Sequence, residues 1–376
     1  MLFETYPAAV ADKHIKALQA FIKEGLGKEQ MAKSLKLKDF EELYSVAKAR
    51  LASKKTSQDY FMTEEDLRFA TNEQVAAYRA KRLACTTLVD IGCGVGIQTL
   101  AFAKTCKNVI AIDIDPRKVR YAQENARKFG VKNVEFVCGD GLEALKSIEH
   151  ADVIFVDPER APEEDVRDIA KSFKPDLLTL VKSASKVTPN IAIELPPQIH
   201  EVPFDCEREY VSFNHELNRL TVYLGKLKRA KTSAVIIPGN HVLQEGKAVA
   251  LKRGKAANYL YEIDPAVAKA GLAGMLADEG MTLYRDEREL LFTSATLRES
   301  PFFKARYEVI DAVENQFDKI LAVLKRENAG KVLFRAKIDP QQYWKERNKY
   351  EKALKGEVHV TLFLFKDEAL ICKKLE

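Results

Sequence analysis

A glycine-rich turn between a short apolar run and a helical stretch constrains the fold of this chain more than any other feature. Residues 88–96 read Leu-Val-Asp-Ile-Gly-Cys-Gly-Val-Gly. The apolar residues predict a buried strand over 86–90, and the pattern that follows predicts a helix over 97–105. Glycines at such a turn permit a sharp bend and let a ligand approach the backbone closely. The segment therefore predicts a ligand-binding strand-turn-helix unit.

The residues after this turn alternate between short apolar runs and helical stretches. Further buried strands are predicted over 108–113, 133–138, 152–156 and 191–195. Helices are predicted between them, over 116–129, 141–148 and 163–171. This alternation, with short loops, predicts a parallel sheet covered on both faces. Thr71 is the predicted N-cap of the preceding helix, whose face carries Val75, Tyr78 and Leu83.

The ends of the chain differ from this middle part. Residues 1–57 show helical spacing of apolar residues, and a helical N-terminal domain is predicted there. Residues 58–239 form the predicted α/β domain, which ends in an antiparallel strand pair near 210–213 and 220–224. Residues 240–376 predict an α+β domain. Its predicted helices cover 263–279 and 310–326, and its strands 331–337 and 357–373.

The details of the glycine turn favour one class of ligand. A dinucleotide fingerprint requires Gly-x-Gly-x-x-Gly, but Ile97 stands where a count from Gly92 requires the last glycine. Asp90 places a carboxylate before the first glycine. An anionic pyrophosphate gains nothing from that carboxylate, whereas the ammonium group of S-adenosylmethionine does. The turn therefore predicts S-adenosylmethionine as the cofactor.

Acidic residues also follow the second and third predicted strands. Asp113 ends the second strand, 21 positions after Gly92, where a carboxylate can accept both ribose hydroxyls. Asp140 follows the third strand and can accept an adenine amino group. Taken alone, each has the alternative interpretation of an exposed strand-end acid. Ligands bind at the carboxyl edge of open parallel sheets. Asp90, Asp113 and Asp140 together therefore favour a single site.

The fourth predicted strand ends in Asp157-Pro158-Glu159-Arg160, where a methyl acceptor would lie. Methyl transfer is an in-line displacement that depends on positioning. The Asp157 carboxylate and the Pro158 carbonyl could hold the two hydrogens of an acceptor amino group. The alternative is a simple turn, because Asp-Pro commonly starts one.

Composition excludes several classes of protein. The 376 residues are 46% hydrophobic and 31% charged, which indicates a globular chain. Six scattered cysteines without a Cys-x-x-Cys pair indicate neither a metal site nor a disulfide framework. We find no membrane span and no signal-peptide pattern, and expect a cytoplasmic protein. The net charge of +5 permits nucleic acid without requiring it. Basic clusters at 226–231 and 345–355 are either RNA contacts or solvated faces.

Residues 60–160 resemble class I S-adenosylmethionine-dependent methyltransferases, above all the RNA cap guanine-N2 (trimethylguanosine synthase) family. The resemblance is carried by 70–76 (Ala-Thr-Asn-Glu-Gln-Val-Ala), 89–99, 109–116, 133–140 and 151–155. It implies a Rossmann-like sheet and a cofactor site lined by Asp90, Gly92, Gly94, Asp113, Asp140 and Asp157. Their neighbours Thr71, Cys93, Gly96, Ile114 and Gly141 are further candidate contacts.

The acceptor motif departs from that family, which has Ser-Pro-Pro-Trp, or Asp-Pro-Pro-Tyr in related enzymes. Here Glu159 replaces the second proline and Arg160 the base-stacking aromatic, which puts guanine-N2 chemistry in doubt. Arg160 could stack through its guanidinium plane or bind phosphate, and Glu159 could accept a proton.

The C-terminal part, from 258–267 and 270–272 onward, resembles the THUMP-like domain that follows a methyltransferase domain in a largely uncharacterised bacterial and archaeal family. Those relatives carry Asp-Pro-Ala-Arg at the acceptor motif, and we take them as the nearer family. True THUMP domains bind RNA, so the resemblance implies by analogy an RNA-handling role. We expect this domain and the helical N-terminal domain to help to hold the RNA.

These observations predict an RNA methyltransferase that acts on a base nitrogen of tRNA or rRNA. Asp157 and Pro158 would position the acceptor, and Glu159 and Arg160 would contact it. Two alternatives stay open: a methyltransferase for a protein or small molecule, and a non-catalytic RNA-binding module that retains the cofactor fold.

Overall fold

The computed structural model describes residues 2–160, 173–174, 177–199, 202–247, 249–278, 280–286 and 289–375. The chain divides into two compact units. The first comprises Met1–Arg208 and Arg219–Lys231, and the second comprises Glu209–Asn218 and Thr232–Glu376. The three domains with boundaries after residues 57 and 239 stay a prediction.

The first unit begins with helices, as the spacing of apolar residues indicates. They are α1 (Leu2–Thr5), α2 (Ala8–Lys23), α3 (Lys28–Leu35), α4 (Phe40–Ala52), α5 (Glu64–Phe69) and α6 (Glu73–Arg82). Buried side chains of the first four helices, such as Leu18 and Leu43, share one core with Val95, Leu100 and Tyr121. The N-terminal helices therefore pack onto the helices that flank the glycine turn.

A parallel sheet forms the centre of the first unit. Its strands are β1 (Thr87–Ile91), β2 (Asn108–Asp113), β3 (Val134–Cys138), β4 (Val153–Val156), β7 (Ile191–Leu195) and β9 (Glu216–Tyr223). The short β5 (Glu159–Arg160) and β6 (Phe173–Lys174) lie between β4 and β7 along the chain, and β8 (Glu207–Phe213) precedes β9. The order is β9-β7-β4-β1-β2-β3, and only β9 runs antiparallel. β5 pairs with β6 outside this sheet.

The helices of this unit connect the parallel strands. They are α7 (Ile97–Phe102), α8 (Pro116–Lys128), α9 (Gly141–Leu145) and α10 (Leu177–Ala184). β4 and β7 are buried along their whole length, which is typical of parallel strands covered on both faces. The predicted α/β fold class is confirmed, and the five predicted strands lie within one residue of the observed ones.

Four local predictions need comment. The helices that begin at residues 97 and 141 end at Phe102 and Leu145, several residues earlier than predicted. The helix predicted over 163–171 lies outside the described residues. Thr71 is not the N-cap of α6: the Asn72 side chain accepts the Gln74 N–H at 2.9 Å, one position closer to the first turn.

The second unit contains the rest of β8 together with β10 (Thr232–Ile237) and β11 (His241–Gln244), in the order β11-β10-β8. A seven-stranded sheet follows. Its strands are β12 (Tyr259–Ile263), β13 (Met281–Arg285), β14 (Leu291–Ser294), β15 (Phe303–Glu314), β16 (Ala329–Ala336), β17 (Val358–Leu364) and β18 (Glu368–Leu375). Their order is β13-β14-β12-β15-β18-β17-β16. The helices are α11 (Pro265–Lys269), α12 (Phe317–Arg326) and α13 (Pro340–Glu351).

The sequence predictions for this unit were wrong in three places. The helix predicted over 263–279 is the five-residue α11 and a 3-10 turn at Ala273–Met275. The helix predicted over 310–326 is helical only from Phe317, because β15 pairs with β18 as far as Glu314. The single strand predicted over 357–373 is the hairpin of β17 and β18. Among all described residues, no helix is long and apolar enough to cross a bilayer.

Candidate cofactor and acceptor site

The glycine turn after β1 folds back onto the end of β2. The N–H groups of Gly92 and Cys93 both donate to the Ile112 carbonyl, at 2.9 and 3.0 Å. Gly92 has φ +83°, and a Cβ atom there would lie 2.4 Å from the Asp157 carbonyl oxygen. Only glycine fits this position, because both the backbone conformation and the close approach exclude a side chain. The cofactor turn and the acceptor motif are therefore in direct backbone contact.

The other residues of the turn have structural roles. Gly94 and Gly96 also have positive φ, at +54° and +89°, and a Cβ atom on Gly96 would lie 3.1 Å from Ala122 Cβ on α8. Gly94 has open space around its Cα, where a ligand can approach. Cys93 is buried, and burial raises the pKa of its thiol well above the ordinary value. That thiol therefore stays protonated and contributes packing.

Asp90 is the most unusual acid of the site. Its side chain is almost completely buried, and its Oδ2 atom accepts the Thr99 hydroxyl at 2.5 Å. Its Oδ1 atom is also buried and has no hydrogen-bond partner in the described part of the chain. Burial raises the pKa of Asp90 to about 7, and Asp113 adds to the shift. A buried carboxylate oxygen without a donor fits a cationic ligand, such as the ammonium group of S-adenosylmethionine.

Asp113, at the end of β2, stabilises the glycine turn through a hydrogen bond. Its Oδ2 atom accepts the Gly94 N–H at 2.7 Å, and its Oδ1 atom accepts the Asp115 N–H at 2.9 Å. A carboxylate offers about four lone-pair positions, so it can still accept ribose hydroxyls. The neighbouring Ile114 is 65% exposed, which leaves an apolar side chain at the sheet edge where an adenine ring would pack. The cofactor contacts of both residues stay predictions.

Asp140 and Gly141 begin α9 at the end of β3. The Oδ1 atom of Asp140 accepts the Leu142 and Glu143 N–H groups at 2.8 and 3.1 Å, so Asp140 caps the helix. Its side chain is exposed, and its second oxygen remains for a ligand. A Cβ atom on Gly141 would lie 2.6 Å from Ile91 Cγ2, so the helix start packs closely on the end of β1.

Asp157 differs from the other Asp residues that precede a proline. The Asp-Pro pairs at 115–116, 264–265 and 339–340 each begin a helix, and each Asp accepts a backbone N–H of the first turn. No helix follows Asp157-Pro158, since the next residues form β5. Within the described ranges, no hydrogen bond engages the Asp157 carboxylate. The alternative of an ordinary Asp-Pro helix start or turn therefore explains this motif poorly.

A buried charge network lies beside Asp157. Glu194 lies on β7, and the register of β7 with β4 places it next to Asp157. Its Oε2 and Oε1 atoms pair with Arg79 at 2.5 Å and with Arg219 at 2.7 Å. Arg79 also donates to Gln98 at 2.8 Å on α7. The network therefore connects α6, α7, β7 and β9 at the carboxyl edge of the sheet.

The charges of this edge do not balance. Asp90, Asp157 and Glu194, together with Asp113, face two arginines. Burial raises the pKa of Asp157 to about 8; Glu194 strengthens this shift, and Arg219 opposes it. An excess of buried acid is stabilised by a bound cation. The site therefore favours a positively charged ligand, which a sulfonium compound provides.

The remaining predicted residues are placed as follows. Thr71 is buried beside Asn72, at the start of α6. Pro158 follows Asp157 and is half-buried. Glu159 and Arg160 form β5, which pairs with β6, but their side chains lie outside the described part of the structure. Their predicted contacts with the acceptor stay predictions.

Sequence reasoning missed Glu194 and its two arginines. The strand over 191–195 was predicted, but its single acid within Ile-Ala-Ile-Glu-Leu was not singled out. A charged residue inside a buried strand is the signal that could have found it, because such a charge needs a partner. Arg79 and Arg219 carry no comparable local signal, since both lie on amphipathic elements.

Comparison with known proteins agrees with this geometry. Residues 85–226 match the profile of the RNA cap guanine-N2 methyltransferase family. These residues are similar to methyltransferase domains that use S-adenosylmethionine. A crystal structure of a putative methyltransferase from Porphyromonas gingivalis shares the fold over 97% of this chain and 99% of its own, with TM-score 0.75 and 18% identity.

Curated relatives match shorter parts of the chain. A probable cobalt-precorrin-6B C(15)-methyltransferase from Methanobrevibacter smithii is 33% identical over 116 residues, 30% of this chain and 62% of its own. An uncharacterized RNA methyltransferase from Lactococcus lactis is 27% identical over 201 residues, 52% of this chain and 38% of its own. The chain thus spans less than two thirds of these relatives. The THUMP-like assignment of the C-terminal part stays a prediction.

The pKa of Asp90 predicts a pH dependence of cofactor binding. Only the ionised carboxylate pairs with an ammonium group, and Asp90 ionises as the pH rises through about 7. We expect the affinity for S-adenosylmethionine to fall by up to about tenfold per pH unit below neutral pH. Calorimetric titrations between about pH 5.5 and pH 7 test this, with Asp90→Asn as the matched variant. A wild-type profile as flat as that of Asp90→Asn would contradict the assigned role.

Proposed function

We propose that this protein methylates a nitrogen of a base in tRNA or rRNA. The proposal rests on Asp157, which lies beside the glycine turn, is half-buried and caps no helix. The Pro158 carbonyl directly follows it. An amino group has two hydrogens to be held, and these two acceptors are adjacent in the chain. The RNA assignment is supported by the matched family and by relatives named as RNA methyltransferases.

The chemistry of amine methylation suits the environment of Asp157. When bound, S-adenosylmethionine supplies the methyl group, and the acceptor nitrogen must release a proton after it gains the methyl. Without a ligand, the pKa of Asp157 near 8 keeps this carboxyl group mostly protonated at neutral pH. A bound sulfonium cation favours the carboxylate, which can then take up that proton. The neighbouring Glu194, fixed by Arg79 and Arg219, keeps that pKa high. We therefore assign Asp157 to orienting the acceptor and receiving its proton.

Two other functions make different predictions. Methylation of a small molecule draws support from the cobalt-precorrin relative, and the modest net charge also permits a protein substrate. A non-catalytic RNA-binding module would bind the cofactor without turnover. The Asp157 carboxyl group, which caps no helix, favours catalysis over this last function. A binding module does not need a hydrogen-bond acceptor at that position.

Methyl transfer from labelled cofactor separates these functions. The full chain is incubated with labelled S-adenosylmethionine and, separately, with unmodified tRNA, rRNA, protein and small-molecule fractions. We expect label in an RNA fraction, located on a base nitrogen by nucleoside analysis. Label only in protein or small molecules would overturn the RNA assignment. Cofactor binding with no label in any fraction would overturn catalysis.

A further inference from the structure

Helix α13 is fixed to the second unit along one side only. Tyr343 and Tyr350 pack against Phe334 of β16. Their ring centroids lie 6.1 and 5.5 Å, respectively, from that of Phe334. Glu351 accepts the Val332 N–H at 3.0 Å, which ties the last turn of the helix to the same strand. β16 is the edge strand of the seven-stranded sheet. The opposite side of α13 faces solvent.

That solvent side has an unusual composition. It carries five exposed residues at helical spacing, which we name the Trp344 face: Gln341, Trp344, Lys345, Asn348 and Lys352. Trp344 is the only tryptophan of the chain, and it is 62% exposed. Tryptophan is enriched at interfaces, because its ring offers a large apolar surface together with a polar N–H group. The Arg347 guanidinium lies 5.2 Å from the indole centroid and helps to orient it.

The Trp344 face is positively charged. The two acids of α13 are absent from it and already have partners: Glu346 pairs with Lys349 at 2.5 Å, and Glu351 with Arg347 at 2.8 Å. No ion pair engages Lys345 or Lys352 within the described ranges. The face thus combines one aromatic ring, two side-chain amides and two cations, without an acid. A partner that fits it carries negative charge and flat rings.

We propose that the Trp344 face is a docking surface for an unpaired segment of RNA. The indole would stack on one base, the lysines would contact the flanking phosphates, and Gln341 and Asn348 would reach base edges. The choice of RNA rests on the proposed function, because that function requires an RNA partner. Double-stranded RNA fits less well, because its bases are stacked on one another and unavailable to the indole.

The single tryptophan makes this surface directly observable. With excitation at the red edge of the indole absorption band, where tyrosine does not absorb, fluorescence of the full chain reports Trp344 alone. Stacking on a base is expected to quench it. The probes are a single-stranded oligouridylate, an RNA duplex of equal length, heparin, and vesicles of phosphatidylcholine with phosphatidylserine. We expect saturable quenching by the single strand and little change with the others. No response to the single strand, or a blue shift on vesicles without quenching by RNA, would overturn the proposal.

Variants separate stacking from charge. Trp344→Ala is expected to weaken binding of a labelled oligonucleotide by about tenfold, measured by anisotropy. Lys345→Ala together with Lys352→Ala should lower the slope of log affinity against log salt by about 1.4. Lys325→Ala, an exposed lysine on α12, is the matched control and should change that slope little. Equal affinities of Trp344→Ala and the wild type would contradict docking at this face.

The labelling assay distinguishes this inference from the proposed function. RNA that quenches Trp344 but receives no methyl group would leave the docking surface standing and remove the function. If the wild type and Trp344→Ala methylate RNA with the same KM, the proposed function stands and the docking surface is overturned. Far-ultraviolet circular dichroism checks that each variant is folded, which we expect because the substituted side chains are exposed.

Discussion

Asp157→Asn is expected to lower the rate of methyl transfer by about a hundredfold or more and to weaken the binding of S-adenosylmethionine by much less. The amide keeps the shape of the carboxyl group but presents one donor where two acceptor oxygens stood, and it cannot take up a proton. The methyl-accepting nitrogen then loses both the group that orients it and the group that receives its proton. Single-turnover kinetics with labelled cofactor and the RNA fraction that accepts methyl groups measure this rate.

The control for this variant is Glu135→Gln on β3, an exposed acid of the same sheet. It should retain the wild-type rate, because its side chain contacts neither site. A rate for Asp157→Asn within about threefold of the wild type would show that Asp157 neither orients the acceptor nor receives its proton. A parallel loss of cofactor binding would instead move Asp157 from the acceptor site to the cofactor site.

Glu194→Gln is expected to lower the free energy of unfolding by about 3–5 kcal/mol. The substitution leaves Arg79, which is 1% exposed, and Arg219 facing a neutral amide. Removing one member of a buried ion network leaves uncompensated charge in a low-dielectric interior. A typical domain has about 5–15 kcal/mol of stability, so the loss is a large part of the total. Urea denaturation followed by circular dichroism measures it.

An exposed ion pair provides the comparison. Glu143 and Lys146 form a pair at 2.7 Å with side chains 69% and 71% exposed. Glu143→Gln should cost less than about 1 kcal/mol, because water screens such pairs. Similar losses for the two variants would contradict the assignment of Glu194 as the centre of a buried network. Glu194→Gln should also lower the pKa of Asp157, because Glu194 helps to keep that pKa high.

The parallel sheet and the cofactor edge could be predicted from the sequence because their determinants are local. Leu88, Val89 and their counterparts form short apolar runs, and the first four runs each end in or are followed by an acid or glycines. Strand ends of a parallel sheet meet at one edge, so Asp90, Asp113 and Asp140 could be placed together without coordinates. The structure adds what each carboxylate contacts, including the unpartnered Oδ1 atom of Asp90.

The charge network beside Asp157 could not be predicted, because it depends on contacts between distant parts of the chain. Arg79 and Thr221, for example, are 142 positions apart and hydrogen-bonded at 3.3 Å. The position of Glu194 beside Asp157 follows from the register of β7 with β4. No local pattern encodes that register when both strands are buried on both faces.

The C-terminal unit was harder to predict because its apolar residues fit two periods. The residues 307–314, Tyr-Glu-Val-Ile-Asp-Ala-Val-Glu, are compatible with a helix or with a strand that has a bulge. Pairing with β12 and β18 on its two sides selects the strand, and the register shift between Val309 and Asp311 accommodates the irregular pattern. Tertiary pairing therefore overrides local preference here.

The most direct test of a methyltransferase site at this sheet edge is a calorimetric titration of the full chain with S-adenosylmethionine. We expect one binding site per chain, weakened about tenfold to a hundredfold by Asp113→Ala, because the ribose hydroxyls lose a charged acceptor. The exposed Glu135→Gln should bind like the wild type. Absence of binding by the wild type, or an unchanged affinity in Asp113→Ala, would contradict the site described for this chain.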